Sequence, residues 1–412
     1  MEQNTGLVPC YVFHVICFVP PSCQNKKNNL NWEDKQSTPQ FFPLWREKTG
    51  AGQEIFMSSL DNAAKIKKLD QQNMLGSIIE LPLQCRQAWQ ESQQVKLPVS
   101  YKGVKNIVIN GMGGSGLGGE IIQFLFWEKL KLPLQVINSY TLPASVGKDT
   151  LYLVSSYSGN TEEVLGTLPA AKKCGAKIMG IATGGKLGAM IKTGQIPGYI
   201  ITEKHNPCGQ PRMGVGYSVF GQLGLLARCG VVKLSSAEVN LAIKNFSALS
   251  SKFGSGVLKS KNPAKQIAEK LLGRIPCLVV ADFLAGNAHA FRNQFNENSK
   301  NFANYFVVSE MNHHLLEGLS FPKKAKKILR FLFIQSDLYY SVNRRRIEIT
   351  KEVVESNGVD FIEYQLRGKT KLEQALELLS FGSYVNFYLA ILNGVDPSPI
   401  PWVDYFKEQL GK

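Results

Sequence analysis

Asn106-Ile107-Val108-Ile109-Asn110-Gly111-Met112-Gly113-Gly114-Ser115-Gly116-Leu117-Gly118-Gly119 is a short apolar run that ends in a glycine-rich turn. A run of this length, bounded by turn residues, predicts a buried strand. The stretch at 121–130 predicts a helix after it. Strand, glycine turn and helix in that order form the first unit of a parallel sheet. The turn also carries chemistry, because its backbone N–H groups can face an anion at a helix N-terminus and glycine lets the chain approach a ligand closely. Gly111, Gly113 and Gly116 match the GxGxxG spacing of dinucleotide-binding turns. No acidic residue falls between Lys129 and Lys148, where the ribose partner is expected, so nucleotide binding is the weaker reading.

Outward from this unit, residues 134–138, 150–155, 177–182 and 199–202 predict four more strands, and 161–174 a helix between them. That is a doubly wound α/β pattern. After a helix through 213–229 and a polar, partly helical connector at 235–261, the alternation restarts. Strands are expected at 276–281, 305–308, 328–335 and 360–364, with a helix at 288–299. The fold class is therefore α/β, with two doubly wound, mainly parallel sheets flanked by helices. The domain reading is a poorly ordered extension at 1–56, a helix plus the first α/β domain at 57–234, the connector at 235–261 and the second α/β domain with C-terminal helices at 262–412. Residues 1–56 show no sustained period, whereas Met57 opens an amphipathic stretch to Gln94; the extension is read as an appended tail or as sequence upstream of a true start at Met57.

Forty-seven Lys and Arg against 32 Asp and Glu give a net charge of +15. The basic runs Lys323, Lys324, Lys326, Lys327, Arg330 and Arg344 to Arg346 fall in stretches that read as helical, so solvated helix faces are expected rather than a nucleic-acid surface. A positive field equally attracts an anionic, phosphorylated substrate. The eight cysteines include no CxxC pair, which argues against a zinc site. The apolar segment from Val8 to Val19 is too short to span a bilayer and follows Glu2 rather than a basic start. A cytoplasmic protein is expected.

Ser156-Tyr157-Ser158-Gly159-Asn160-Thr161-Glu162-Glu163 again joins a strand to a helix. Hydroxyls this close together at a helix N-terminus can each donate to a phosphate oxygen, and Thr161 can cap the helix. An N-cap alone would need fewer of these residues.

Gly111-Met112-Gly113-Gly114-Ser115, Ser156 to Glu163, Gln210-Pro211-Arg212, Asn296-Glu297-Asn298-Ser299-Lys300, Glu310-Met311-Asn312-His313 and finally Lys407 occur in that order. The series resembles the bifunctional phosphoglucose/phosphomannose isomerases of the sugar isomerase (SIS) superfamily, over roughly residues 60–412. The resemblance implies two flavodoxin-like SIS domains that interconvert glucose 6-phosphate, and mannose 6-phosphate, with fructose 6-phosphate through a cis-enediolate. It also implies a homodimer with shared active sites, no metal or cofactor, and a place in glycolysis and gluconeogenesis.

By the same resemblance, Ser156, Ser158 and Thr161 hold the phosphate, and Gly113, Gly114 and Ser115 line the sugar. Arg212 stabilises the enediolate, as a fixed guanidinium facing developing charge should. Glu297 moves the proton between C1 and C2, which a carboxylate does well when desolvation brings its pKa toward neutrality. His313, from the neighbouring subunit, opens the ring with help from Lys407; imidazole suits this role with an unperturbed pKa of about 6.5. His314 stands where the family commonly has asparagine, so two imidazoles compete for the position, with Asn312 favouring His313. Ser398 stands where members often carry threonine, at the hydroxyl linked to rotation about C2–C3.

The competing class is a non-catalytic sugar-phosphate sensor, since SIS domains also occur in regulators. A sensor would keep the serine loop but has no need of Glu297, Arg212 and His313 together, and no helix-turn-helix is read ahead of the first domain. An amide-transferring synthase would need an N-terminal glutaminase, for which residues 1–56 are too short.

Overall fold

The computed structural model describes residues 59–411. The expectations for residues 1–56 and for Val8 to Val19 lie outside the described residues. The opening run forms β1 (Asn106–Gly111) of a parallel five-stranded sheet with β2 (Leu134–Ile137), β3 (Thr150–Ser155), β4 (Lys177–Ala182) and β5 (Gly198–Ile200), in the order β2-β1-β3-β4-β5. A second parallel sheet of four strands contains β6 (Ile275–Ala281), β7 (Asn304–Val308), β8 (Leu329–Gln335) and β9 (Asp360–Gln365), in the order β7-β6-β8-β9. Both sheets thus place their first strand inside and their second at an edge, which is the flavodoxin-like order. The doubly wound reading of both halves holds.

Strand periodicity divides the core of the first sheet. Val108, Tyr152, Val154, Ile178 and Ala182 face the helices Glu162–Lys173 and Gly185–Lys192. Ile107, Ile109, Leu151, Leu153, Met179 and Ile181 face the other way, into a core that also takes in Leu278, Val280, Leu332 and Ile334 of the second sheet. That face is therefore where the two halves meet.

The helix Lys371–Asn393 runs through this shared core, and every residue from Glu373 to Ile391 is buried. Apolar residues all round give no stripe for a helical period to detect, which is why the sequence reading reaches only unspecified C-terminal helices. Its ends are marked: the Thr370 hydroxyl accepts from the Glu373 N–H at 3.2 Å, and Gly394 takes a left-handed φ of 71°. Among the described residues it is the one helix long and apolar enough to cross a membrane, but 94% of its apolar window lies inside the protein.

Three further expectations are corrected. The stretch up to Gln94 is not one helix but Ala63–Leu69, Met74–Ile79 and Leu81–Ser92; Asn62 and Asn73 cap the first two by accepting backbone N–H bonds. The helix after the glycine turn is Gly114–Leu125, earlier than 121–130, because the glycines themselves form its first turns. The first basic run is not a helix face: Ala325–Ile328 is a single turn, and Arg330 belongs to β8, where it pairs with Asp360 at 2.7 Å.

The helices Gly114–Leu125 and Ala285–Glu297 cross at Gly286, where a β-carbon would meet the backbone of Glu120 and Ile121 at 2.6 Å. Gly286→Ala is therefore expected to cost about 2 kcal/mol through overpacking, read as a lower urea midpoint. Gly256→Ala, in open space, should leave the midpoint unchanged. Equal midpoints for the two variants would contradict so close a crossing.

Candidate active site

β1 and β3 pair in register through Gly111 and Ser155, their last residues, so the glycine and serine loops leave the sheet side by side. This is the topological switch point, the usual ligand crevice of an open α/β sheet. The loops are tied together: Ser115 Oγ accepts the Tyr157 N–H at 2.9 Å, and the Ser115 carbonyl accepts from Gln222 Nε2 at 2.9 Å. Gly159 has a left-handed φ of 73°, and a β-carbon there would overlap the Gly184 carbonyl. Only glycine fits such a turn.

Ser156 differs from its expected role. It is fully buried, and its oxygen accepts the N–H groups of Gly159 at 3.1 Å and Thr161 at 3.3 Å. Its hydroxyl also pairs with Thr161 Oγ1 at 2.6 Å. Ser156 therefore shapes the loop rather than presenting a free donor. The same pairing means that Thr161, although at the N-cap of Glu162–Lys173, makes no capping bond with its side chain. Ser158 is exposed.

Arg212 sits in the short 3-10 turn Pro211–Met213, with its backbone against Gly114, where a β-carbon would come within 3.1 Å of it. Its guanidinium is buried, so its donors need acceptors. Nε donates to Asn298 Oδ1 at 2.5 Å and Nη1 to Gln210 Oε1 at 2.8 Å; Nη2 donates to the carbonyls of Pro397 at 3.0 Å and Ser398 at 2.6 Å. The Ser398 hydroxyl beside it is buried with no hydrogen-bond partner.

Glu297 is the last residue of Ala285–Glu297, and its carboxylate lies 3.8 Å from Arg212 Nε. Burial pushes its pKa above the ordinary glutamate value, while Arg212, Lys300 and Lys407 pull it back. The negative end of the helix dipole also disfavours its ionised form. The result is a carboxylate more basic than usual, with its side chain 30% exposed. Lys407 lies on the exposed helix Pro401–Leu410 and contributes its charge to Glu297 from there.

The structure thus brings together Glu297, Arg212, Lys407 and Ser398, beside the glycine loop of the first sheet. It does not bring His313 to them. The helix ending at Glu297 returns the chain to the start of β7, whereas the turn Glu310–His313 follows the end of that strand. Five residues of β7 separate the two levels by on the order of 17 Å at strand rise. His313 and His314 are both exposed. Asn298, Gln210 and Lys300, which had no assigned role, are part of the assembly; all three were visible as companions of Glu297 and Arg212 in their short motifs. A cavity of about 660 Å³ opens instead at the C-terminal end of the second sheet, lined by Asp282, Phe283, Ser309 and Tyr340 among others, and it includes none of the expected site residues.

Residues 260–410 match the family model of the bacterial phospho-glucose isomerase C-terminal SIS domain. A bifunctional phosphoglucose/phosphomannose isomerase of Caldicellulosiruptor bescii is 33% identical over 343 residues, covering 82% of this chain and 99% of that protein. The chain belongs to the bifunctional phosphoglucose/phosphomannose isomerase family. A further family member, from Aquifex aeolicus, is 33% identical over 75% of this chain and 91% of its own length. Among solved structures, the C-terminal domain of glucosamine-fructose-6-phosphate aminotransferase from Francisella tularensis shares the fold, with a TM-score of 0.62 at 16% identity over 79% of this chain and 98% of that one.

Removing the Ser156 hydroxyl takes the acceptor from the Thr161 N–H and the partner from Thr161 Oγ1, while the Gly159 N–H keeps the Ser156 carbonyl at 3.0 Å. Ser156→Ala is expected to cost about 1–3 kcal/mol, measured by urea unfolding, and to weaken binding of inorganic phosphate measured by calorimetry. Unchanged stability and phosphate affinity would remove Ser156 as the organiser of the loop.

Proposed function

We propose that this chain is an aldose–ketose isomerase that converts glucose 6-phosphate and mannose 6-phosphate to fructose 6-phosphate, reversibly, through a cis-enediolate. Family membership supports the reaction class. The observation that carries the assignment of roles is the Glu297 carboxylate, raised by burial and held 3.8 Å from a buried, fully oriented arginine.

The phosphate docks at the start of Glu162–Lys173, where the N–H groups of the helix and the hydroxyls of Ser158 and Thr161 meet it, in a loop shaped by Ser156. Gly113, Gly114 and Ser115 form the wall beside the sugar. His313 and Lys407 shuttle the protons of ring opening. Glu297 then takes the proton from C2 and returns it to C1, while the O2 proton passes to O1 and the aldehyde becomes a hydroxymethyl group. Negative charge that develops on the enediolate oxygens faces Arg212, which needs no reorganisation because its other donors are already engaged. The unpartnered Ser398 hydroxyl borders C2–C3, where rotation exposes the opposite face of C2 for the mannose epimer.

The active unit is a homodimer in which His313 completes the site of the partner. Its exposure and its distance from Glu297 within one chain support this. So does Pro401–Leu410, which carries Lys407 and leaves Trp402, Tyr405 and Phe406 exposed. The protein works in the cytoplasm, in glycolysis and gluconeogenesis.

A coupled assay of fructose 6-phosphate formation should show turnover of both sugars by the wild type and a fall in kcat of about a thousandfold or more in Glu297→Gln. Because the base must be ionised, kcat/KM should fall with acid through a pKa above that of ordinary glutamate, the direction in which burial moves Glu297. Mixing Glu297→Gln with His313→Ala under subunit exchange should restore about a quarter of wild-type activity, since half the dimers then hold one intact site of two. No recovery, from variants shown to exchange, would place the histidine in its own chain's site.

A further inference from the structure

Lys300 follows the helix of the proposed base by three residues and adopts a left-handed φ of 52°, which a lysine keeps only when its surroundings fix it. Its ammonium provides that constraint. Nζ donates to the carbonyls of Glu297 at 2.8 Å, Asn298 at 3.3 Å and Pro397 at 2.9 Å, which uses every proton an ammonium carries. Two of these acceptors are carbonyls at the end of the helix Ala285–Glu297, otherwise left without intrahelical partners. The third, Pro397, also accepts from Arg212 at 3.0 Å, so one carbonyl bridges both cations. Lys300 and Arg212 together fasten the segment carrying Ser398 to the helix end carrying Glu297.

We propose that Lys300 is a positioning residue for the proton transfer: by capping the helix it fixes the Glu297 carboxylate and the Ser398 segment around Arg212, and its charge opposes the helix dipole to keep Glu297 ionised. This rests on the isomerase reading above. The charged groups facing Glu297 are Arg212 from the 3-10 turn, Lys300 from its own segment and Lys407 from the C-terminal helix. Lys300 is faced by Arg212, Asp396 and Glu297, and Arg212 in turn by Asp404. Burial and Arg212 push the Lys300 ammonium down to about 8, so the clamp is charged at neutral pH and weakens in mild alkali.

The test compares the pH dependence of glucose 6-phosphate turnover in wild type, Lys300→Met and Lys300→Arg. An inactive wild type sinks the isomerase reading and this role with it. With an active wild type, Lys300→Met should lower kcat about tenfold, change KM less, and move the acid limb upward by about half a pH unit or more, because a cation that favoured the carboxylate is gone. Lys300→Arg should return the limb toward its wild-type position. Inorganic phosphate, titrated by calorimetry, should bind all three proteins alike, since its loop lies on the other half. A wild-type pH profile in Lys300→Met, or the same displaced limb in Lys300→Arg, overturns the electrostatic role. Loss of phosphate binding in both variants overturns positioning in favour of a general structural role.

Discussion

A guanidinium with 5% of its residue surface exposed cannot remain charged without acceptors, and the demands of Arg212 organise the site. It collects them from across the chain: Asn298 is 86 residues away, and the carbonyls of Pro397 and Ser398 are 185 and 186 away. Satisfying one buried cation therefore draws the turn beside the glycine loop, a helix end from the second half and the C-terminal segment to one point. Glu297, next to Asn298, arrives at 3.8 Å as a consequence. Its carboxylate is not neutralised by a close bidentate bond, because the facing Nε is already engaged with Asn298. Arg212 is thereby oriented toward charge yet leaves the neighbouring carboxylate basic.

The two sheets share a strand order but have different chemistry at their carboxyl ends. In the first, paired loops rich in glycine and hydroxyls border the switch point, and Ser115 ties them together. In the second, Asp282 performs the tying, accepting from the Tyr340 N–H at 2.8 Å and Asn343 Nδ2 at 2.6 Å. A carboxylate there disfavours a phosphate, whereas neutral donors in the first sheet suit one. The second sheet instead contributes through its helix end, at the opposite end of its strands from its own cavity.

Much of the fold was legible because buried parallel strands are short apolar runs punctuated by turns, and all nine strands lie close to where the sequence places them. Lys371–Asn393 escaped delimitation because a helix buried all round has no period, leaving Thr370 and Gly394 as its only marks. The helical reading of the first basic run conflicts with the strand expected at 328–335, and the strand holds at Arg330 because Ala325–Ile328 is a single turn that runs directly into β8. At the site, the glycine and serine loops could be reasoned locally as anion cradles. The inward turn of Ser156 could not, because it depends on three-dimensional pairing with Thr161. The union of Arg212 with Ser398 is encoded by no local pattern, and motif order was the only sequence signal for it.

The C2 proton of the substrate offers the most direct test of Glu297 as the mobile base. Wild-type protein given glucose 6-phosphate deuterated at C2 should move the label to C1 of fructose 6-phosphate or release it to water, followed by NMR. Glu297→Gln should retain the label at C2 with its fold and phosphate binding intact. Label leaving C2 at the wild-type rate in that variant would contradict the assignment, and the arginine-centred geometry would then have to serve some other group.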